Sequence, residues 1–143
     1  MAQHTTLIVE NSEEYRRFLS SGLRQNTRCR VVGEATDGIE AVKQAEELQP
    51  DLILLDLGLP KLNGMDAARR IRKVAPNSKI LFITQEESVE IMQAALRLGA
   101  GYLLKSDGME LPLAIDTVMQ GVQFVSSRLI RSMGANHVSA FRI

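Results

Sequence analysis

Five short apolar runs alternating with five amphipathic segments predict an α/β domain, a doubly wound five-stranded parallel sheet with helices on both faces. Two further observations point the same way. Leu52-Ile53-Leu54-Leu55, bounded by Asp51 and Asp56, is a continuous apolar stretch of the kind that forms a strand buried on both faces. Several apolar runs also end in polar groups: Leu7-Ile8-Val9 in Glu10-Asn11, Leu55 in Asp56, Ile83 in Thr84 and Leu104 in Lys105. Open α/β sheets place their chemistry at the carboxyl ends of strands. Strict alternation with short connections implies right-handed crossovers.

The strands are predicted at 5–9, 30–35, 51–55, 79–83 and 101–104. Between the first two, Tyr15, Phe18, Leu19, Gly22 and Leu23 recur at helical spacing and form one apolar stripe. Ser12 can cap that helix, and Glu13 and Glu14 favour its positive end. The second helix opens on Asp37-Gly38-Ile39-Glu40, read as a capping box, and should turn Ile39, Val42, Ala45 and Leu48 inward. Gln49-Pro50 ends it, because proline disfavours helix at the residue before it. The third helix should start near Asn63, bury Met65, Ala68, Ile71 and Val74, and stop at Pro76. The fourth, predicted at 86–98, carries two apolar stripes, Val89/Met92/Leu96 and Ile91/Ala95/Leu98, with Gly99 as its stop. The fifth begins near Met109 with Leu111, Ile115, Val118 and Val122 in phase, and Pro112 falls harmlessly in its first turn. After Phe124 the periodicity is lost.

The 143 residues suit one domain, with 45% apolar and 24% charged residues. Lys+Arg and Asp+Glu both number 17, so no net field draws this chain to nucleic acid or anionic lipid. The single cysteine, Cys29, excludes an intrachain disulfide and fits a reducing compartment; a small apolar residue at a strand start is its plainest reading. No apolar stretch is long enough to cross a bilayer and the amino terminus lacks a signal-peptide core, so a cytoplasmic location is expected.

Asp56 is followed by Pro60 and Gly64 at offsets of four and eight. With Val31-Val32-Gly33-Glu34-Ala35, then Asp37-Gly38-Ile39-Glu40-Ala41, and Gly99-Ala100-Gly101-Tyr102-Leu103-Leu104-Lys105, the chain resembles the CheY-like receiver domain of two-component response regulators, NarL/FixJ (LuxR) type. The resemblance covers about residues 5–129. It implies a receiver domain at 1–129, with 130–143 as a tail or the start of a linker to an output domain. It also implies a flavodoxin-like sheet ordered 2-1-3-4-5, with the site between the first and third strands.

Residue by residue, the resemblance makes Asp56 the phosphoacceptor, which takes a phosphoryl group from a histidine kinase. Glu10 and Asn11 match the acidic pair that holds Mg²⁺, with Asp56 and the backbone carbonyl of Gly58. Lys105 matches the lysine that pairs with the phosphoryl group, Thr84 the hydroxyl drawn toward it, and Tyr102 the aromatic switch residue. Asn11 departs from the pattern, since an amide replaces the carboxylate that normally touches the metal, so weak Mg²⁺ binding is expected. Gln85 stands where a small residue is common, and Ser106 where proline is frequent.

Plainer readings stand beside these. Thr84 alone would cap the fourth helix, Tyr102 alone would be a half-buried strand aromatic, and Lys105 would be an ion-pair partner of Asp56. Arg69, Arg70, Arg72 and Lys73 read as a solvated face, with no interleaved aromatics to suggest nucleic acid. His4 and His137 have no metal-ligand spacing. The expectation is a phosphorylation-controlled signalling module that switches self-association, with a homodimer as one candidate form, or output-domain activity. It is not a turnover enzyme and reaches DNA only through an output domain. The alternatives are a pseudo-receiver acting as an interaction module, and a phosphatase. The phosphatase reading lacks a second carboxylate two residues after Asp56, where Gly58 stands.

Overall fold

The computed structural model describes residues 3–26 and 28–133. His137 and most of the expected tail lie outside these residues. The elements run β1 (His4–Val9), α1 (Glu13–Arg24), β2 (Cys29–Ala35), α2 (Gly38–Leu48), β3 (Leu52–Leu55), α3 (Gly64–Val74), β4 (Lys79–Thr84), α4 (Val89–Leu96) and β5 (Gly101–Leu104). A 3₁₀ turn (Lys105–Glu110), α5 (Leu111–Met119), β6 (Phe124–Val125) and α6 (Ser127–Met133) follow. All strand pairs are parallel, in the order β2-β1-β3-β4-β5-β6. The expected 2-1-3-4-5 order is therefore present, with a two-residue strand added at the β5 edge.

Alternation along the strands sorts the core into two layers. Leu7, Val9, Ile53, Leu55, Phe82, Tyr102 and Leu104 pack with Ala41, Ala45, Ala68, Ile71 and Met92 of α2, α3 and α4. On the other face, Ile8, Leu52, Leu54, Leu81, Ile83 and Leu103 meet Leu19 and Leu23 of α1 and Leu111, Ile115 and Val118 of α5. Burial on both faces is why these strands read as unbroken apolar runs rather than as alternating ones.

The caps of α1, α2 and α3 follow the sequence and that of α4 does not. Ser12, Asp37, Asn63 and Ser88 each accept a backbone N–H three residues on. The phase of α2 differs from expectation: Gly38, Ala41 and Ala45 are buried, while Ile39 and Leu48 are exposed. The Gly38 N–H donates to the Pro60 carbonyl, and a Cβ there would strike the Leu62 backbone. That close approach rotates the small residues, not the large ones, onto the sheet. In α3, Ala68 and Ile71 are buried and Met65 and Val74 pack partly. Helix α4 is shorter than expected because Ser88, not an earlier residue, caps it. Helix α5 starts two residues late, behind the 3₁₀ turn, and Val122 lies past its end, exposed.

The segment after Phe124, which lost its periodicity in the sequence, is structured through Met133. Leu129 is buried, and Ile130 and Met133 pack against the core. The Ser126 N–H donates to the Tyr102 carbonyl (2.9 Å), and Ser126 Oγ accepts from the Leu104 N–H (3.3 Å) and donates to Asp107. Arg72 departs from the solvated face expected of it. It is half-buried, not solvated, and donates to the carbonyls of Ala75 and Ser78 beyond the end of α3, whereas Arg69 pairs with Asp66.

Candidate phosphoryl-acceptor site

Strands β1 and β3 are neighbours, and their helices leave on opposite faces of the sheet. The crevice opens beyond their carboxyl ends. Glu10 directly follows β1 and Asp56 directly follows β3, so both carboxylates arrive side by side at that crevice. The Asp56 N–H donates to the Val9 carbonyl (3.1 Å), continuing the ladder one residue past the strand. Its side chain is nearly buried, and Asp56 Oδ1 accepts from the Gly58 N–H at 3.2 Å. The loop beyond is clamped by the Gly64 N–H on the Leu57 carbonyl (2.8 Å), and a Cβ on Gly64 would collide with the Asp56 and Leu57 backbone.

Lys105, at the end of β5, joins the two carboxylates. Its Nζ lies 2.8 Å from Glu10 Oε1 and 3.3 Å from Asp56 Oδ2. The second Glu10 oxygen, Oε2, accepts the Ser12 N–H at 2.9 Å, and the Arg16 guanidinium donates to the Glu10 carbonyl. Arg16 is held in turn by Glu34 at the end of β2 (3.2 Å). Burial raises the pKa of Glu10 above the ordinary glutamate value, and the Asp56 charge adds to this. Lys105 and the Ser12 N–H pull it back without cancelling the rise.

Thr84 and Gly58 line the same cleft as Asp56 and Lys105, together with Gln85, Asn63 and Ile91. Thr84 is buried at the end of β4, and its Oγ1 accepts the Glu86 N–H (3.2 Å). It therefore shapes the β4–α4 loop, while Ser88 caps the helix. Tyr102 is fully buried rather than half-buried, and its hydroxyl donates to the Glu86 carbonyl at 3.0 Å. Burial pushes the Tyr102 pKa up, so that hydroxyl stays protonated. Asn11 is exposed in the turn between β1 and α1, and among the described residues no hydrogen bond joins it to the rest of the site.

Tyr15 was read from the sequence only as part of an apolar stripe. Its ring centroid lies 4.8 Å from Lys105 Nζ, and its hydroxyl donates to the Lys105 carbonyl at 3.3 Å. The signal that could have found it is its place in the first turn of α1, five residues after Glu10.

A divalent ion fits the donor set. Glu10 and Asp56 already share one cationic partner, and the carboxylate, carbonyl and amide oxygens of Glu10, Asp56, Gly58 and Asn11 are hard ligands of the type magnesium takes. Among the described residues no three His, Cys, Asp or Glu side chains gather for a metal, so only two carboxylates are on offer. Magnesium, which keeps several of its waters, needs no more.

The sequence and the fold are shared with known proteins. The response regulator receiver domain family matches residues 6–116, and the chain belongs to that family. It is 39% identical over 108 residues to protein-glutamate methylesterase/protein-glutamine glutaminase 4 of Myxococcus xanthus, covering 74% of this chain and 31% of that protein. It is 35% identical over 130 residues to the oxygen regulatory protein NreC of Staphylococcus epidermidis, covering 89% and 60%. Among solved structures, a LuxR-family response regulator from Aurantimonas superposes with a TM-score of 0.85 at 27% identity, covering 91% of this chain and 94% of that one. The receiver domain of Thermotoga maritima CheB gives 0.77 at 30%, covering 82% and 97%. The chain thus spans between about a third and three fifths of the length of the curated relatives it matches. Receiver domains are signalling modules that interact with histidine kinases, generally bind Mg²⁺ and are generally not enzymes; some of them dimerise.

Proposed function

We propose that Asp56 is the phosphoacceptor of this receiver. The observation that supports it best is the Lys105 ammonium bridging Glu10 and Asp56 beyond β1 and β3, with the Thr84 hydroxyl lining the same cleft. An ionised Asp56 oxygen attacks the phosphorus of a kinase phosphohistidine. The P–N bond breaks, its electron pair returns to the imidazole nitrogen, and an acyl phosphate remains on Asp56. Lys105 then leaves the carboxylates for a phosphoryl oxygen, and Thr84 donates its hydroxyl to another. Because Thr84 and Tyr102 both bond to Glu86, movement of Thr84 loosens the loop that holds Tyr102 in place.

Glu10, Asp56, the Gly58 carbonyl and the Asn11 amide would hold the Mg²⁺, which when bound neutralises the carboxylates and the incoming phosphoryl charge. In this reading the protein works in the cytoplasm, and phosphorylation changes self-association or the activity of an output domain. It does not itself bind DNA, having no net positive charge. The similar proteins include a LuxR-family response regulator and a protein-glutamate methylesterase, so the receiver alone leaves the output class open.

Intact-mass spectrometry with Mg²⁺ and acetyl phosphate tests the assignment. The parent should gain one phosphoryl group and Asp56→Asn none; equal labelling of the two removes Asp56 from its role. One observation favours a second reading, a phosphorylation-independent interaction module. Both oxygens of Glu10 are committed to Lys105 and Ser12, and Asn11 brings no charge. Absence of labelling in a folded parent selects that reading.

A further inference from the structure

Lys105 has to change partners during the proposed reaction, releasing Glu10 and Asp56 to a metal and taking a phosphoryl oxygen instead. An ammonium held only by those two carboxylates would either block the metal or, once displaced, be free to swing out. A third contact exists. The Tyr15 ring stands 4.8 Å from Lys105 Nζ, within cation–π distance, and the Tyr15 hydroxyl bonds to the carbonyl of the same lysine. One side chain therefore grips both ends of Lys105.

The surroundings fix that grip. Phe18, one helical turn on, packs against the Tyr15 ring at 5.1 Å. The backbone after Lys105 closes over the pair at Gly108, where an added Cβ would lie 3.0 Å from the Phe18 ring and 3.2 Å from the Tyr15 hydroxyl. Burial, reinforced by the Glu10 and Asp56 charges, pushes the Tyr15 pKa up to about 12, so the hydroxyl remains a donor at neutral pH. Apolar packing of α1 would be served equally well by Leu or Met. It requires neither the bond to the Lys105 carbonyl nor a ring beside the ammonium.

The geometry points to Tyr15 as a positioning residue for Lys105: a neutral aromatic face that keeps the ammonium in the site while the carboxylates exchange a lysine for a metal and a phosphoryl group. It rests on the assignment of Asp56 and Lys105 given above. An aromatic face suits this because it attracts the cation without using a carboxylate oxygen that the metal needs, and without adding negative charge beside the phosphoryl group.

The test uses the full chain and three variants. Tyr15→Phe keeps the ring, Tyr15→Met fills the space without one, and Tyr15→Leu replaces the Met variant if that does not fold. Two readouts are taken: the NMR shift of the Lys105 ε-methylene protons, moved upfield by a neighbouring ring, and the rate of phosphorylation by acetyl phosphate with saturating Mg²⁺. The parent and Tyr15→Phe should share the upfield shift; losing the bond to the Lys105 carbonyl should slow Tyr15→Phe by about threefold, while the ringless variant should lose the shift and slow roughly tenfold. A folded ringless variant that keeps either the shift or the parent rate overturns the proposal. If the parent is not phosphorylated at all, the Asp56 assignment fails, and the Lys105 shift alone then decides whether Tyr15 holds the ammonium.

Discussion

Lys105 Nζ sits 2.8 Å from Glu10 Oε1 and 3.3 Å from Asp56 Oδ2, so one ammonium neutralises two nearly buried carboxylates from different strands. The sequence reading paired Lys105 with Asp56 alone. The closer partner is Glu10, whose extra methylene relative to aspartate lets it reach across. Both carboxylates are therefore paired with a cation of the protein's own.

Lys105→Met should leave both carboxylates without their counter-charge and destabilise the metal-free protein by about 1–3 kcal/mol. Adding Mg²⁺ should restore part of that loss. Denaturant unfolding with and without the ion measures both effects, and equal stability of parent and variant would show that the bridge contributes nothing.

Glu10 gives a pH dependence. Its pKa is raised in the fold, mainly by burial. Below the ordinary glutamate pKa both folded and unfolded states hold the proton, and the group carries no penalty. As the pH rises through the raised folded value, the native state must ionise a buried carboxyl, and stability is lost. Glu10→Gln should therefore gain stability relative to the parent as the pH rises from the ordinary glutamate pKa toward neutrality. It should also lose Mg²⁺ affinity. Thermal unfolding across that range checks the first claim and calorimetry the second; a difference that shrinks with rising pH contradicts the sign.

Asn11→Asp adds a negative charge beside the Glu10–Asp56 pair. Unit charges about 4 Å apart interact by roughly 4 kcal/mol at an effective dielectric near 20, before desolvation. A net gain of only about 1.4 kcal/mol would tighten Mg²⁺ roughly tenfold. The variant should also phosphorylate faster and be slightly less stable without metal. Unchanged Mg²⁺ affinity in titration calorimetry would show that the exposed Asn11 does not reach the ion.

Gly64→Ala should disturb the acceptor loop directly. The added methyl meets the backbone of Asp56 and Leu57, not a yielding side chain, and the Gly64–Leu57 hydrogen bond would stretch. Overpacking of this kind costs about 1–3 kcal/mol. Hydrogen exchange should rise at Leu57, Gly58 and Gly64, and unaltered protection there would count against the clamp.

Much of the molecule was legible because single local causes act. Leu52–Leu55 is apolar throughout because both faces of β3 are covered, and this fixed the place of Asp56. Ser12, Asp37 and Asn63 cap through contacts three residues away, within any sequence window. What escaped depends on contacts between distant segments. Helical spacing turns Ile39 and Leu48 inward, whereas the Gly38–Leu62 approach sets the phase of α2 and leaves both exposed. Ser126 looks like an ordinary loop serine, yet it completes β5 by bonding to Tyr102 and Leu104. Tyr15 fits an apolar stripe, and only the fold brings Lys105, ninety residues later, over its ring.

The short strand after α5 bears on where this receiver can be cut. Residue 116, where the family match ends, lies inside α5, and a fragment stopped just past that helix would lack Phe124–Ser126. The carbonyls of Ala100 and Tyr102 and the N–H of Leu104 would then lose their partners along one side of β5. A bare row of this kind is a template for another chain, and unprotected edges promote aggregation. Phe124, Val125 and Ser126 thus act as a selvedge on the sheet, and a recombinant fragment that keeps them through Met133 is the one to remain dispersed at high concentration.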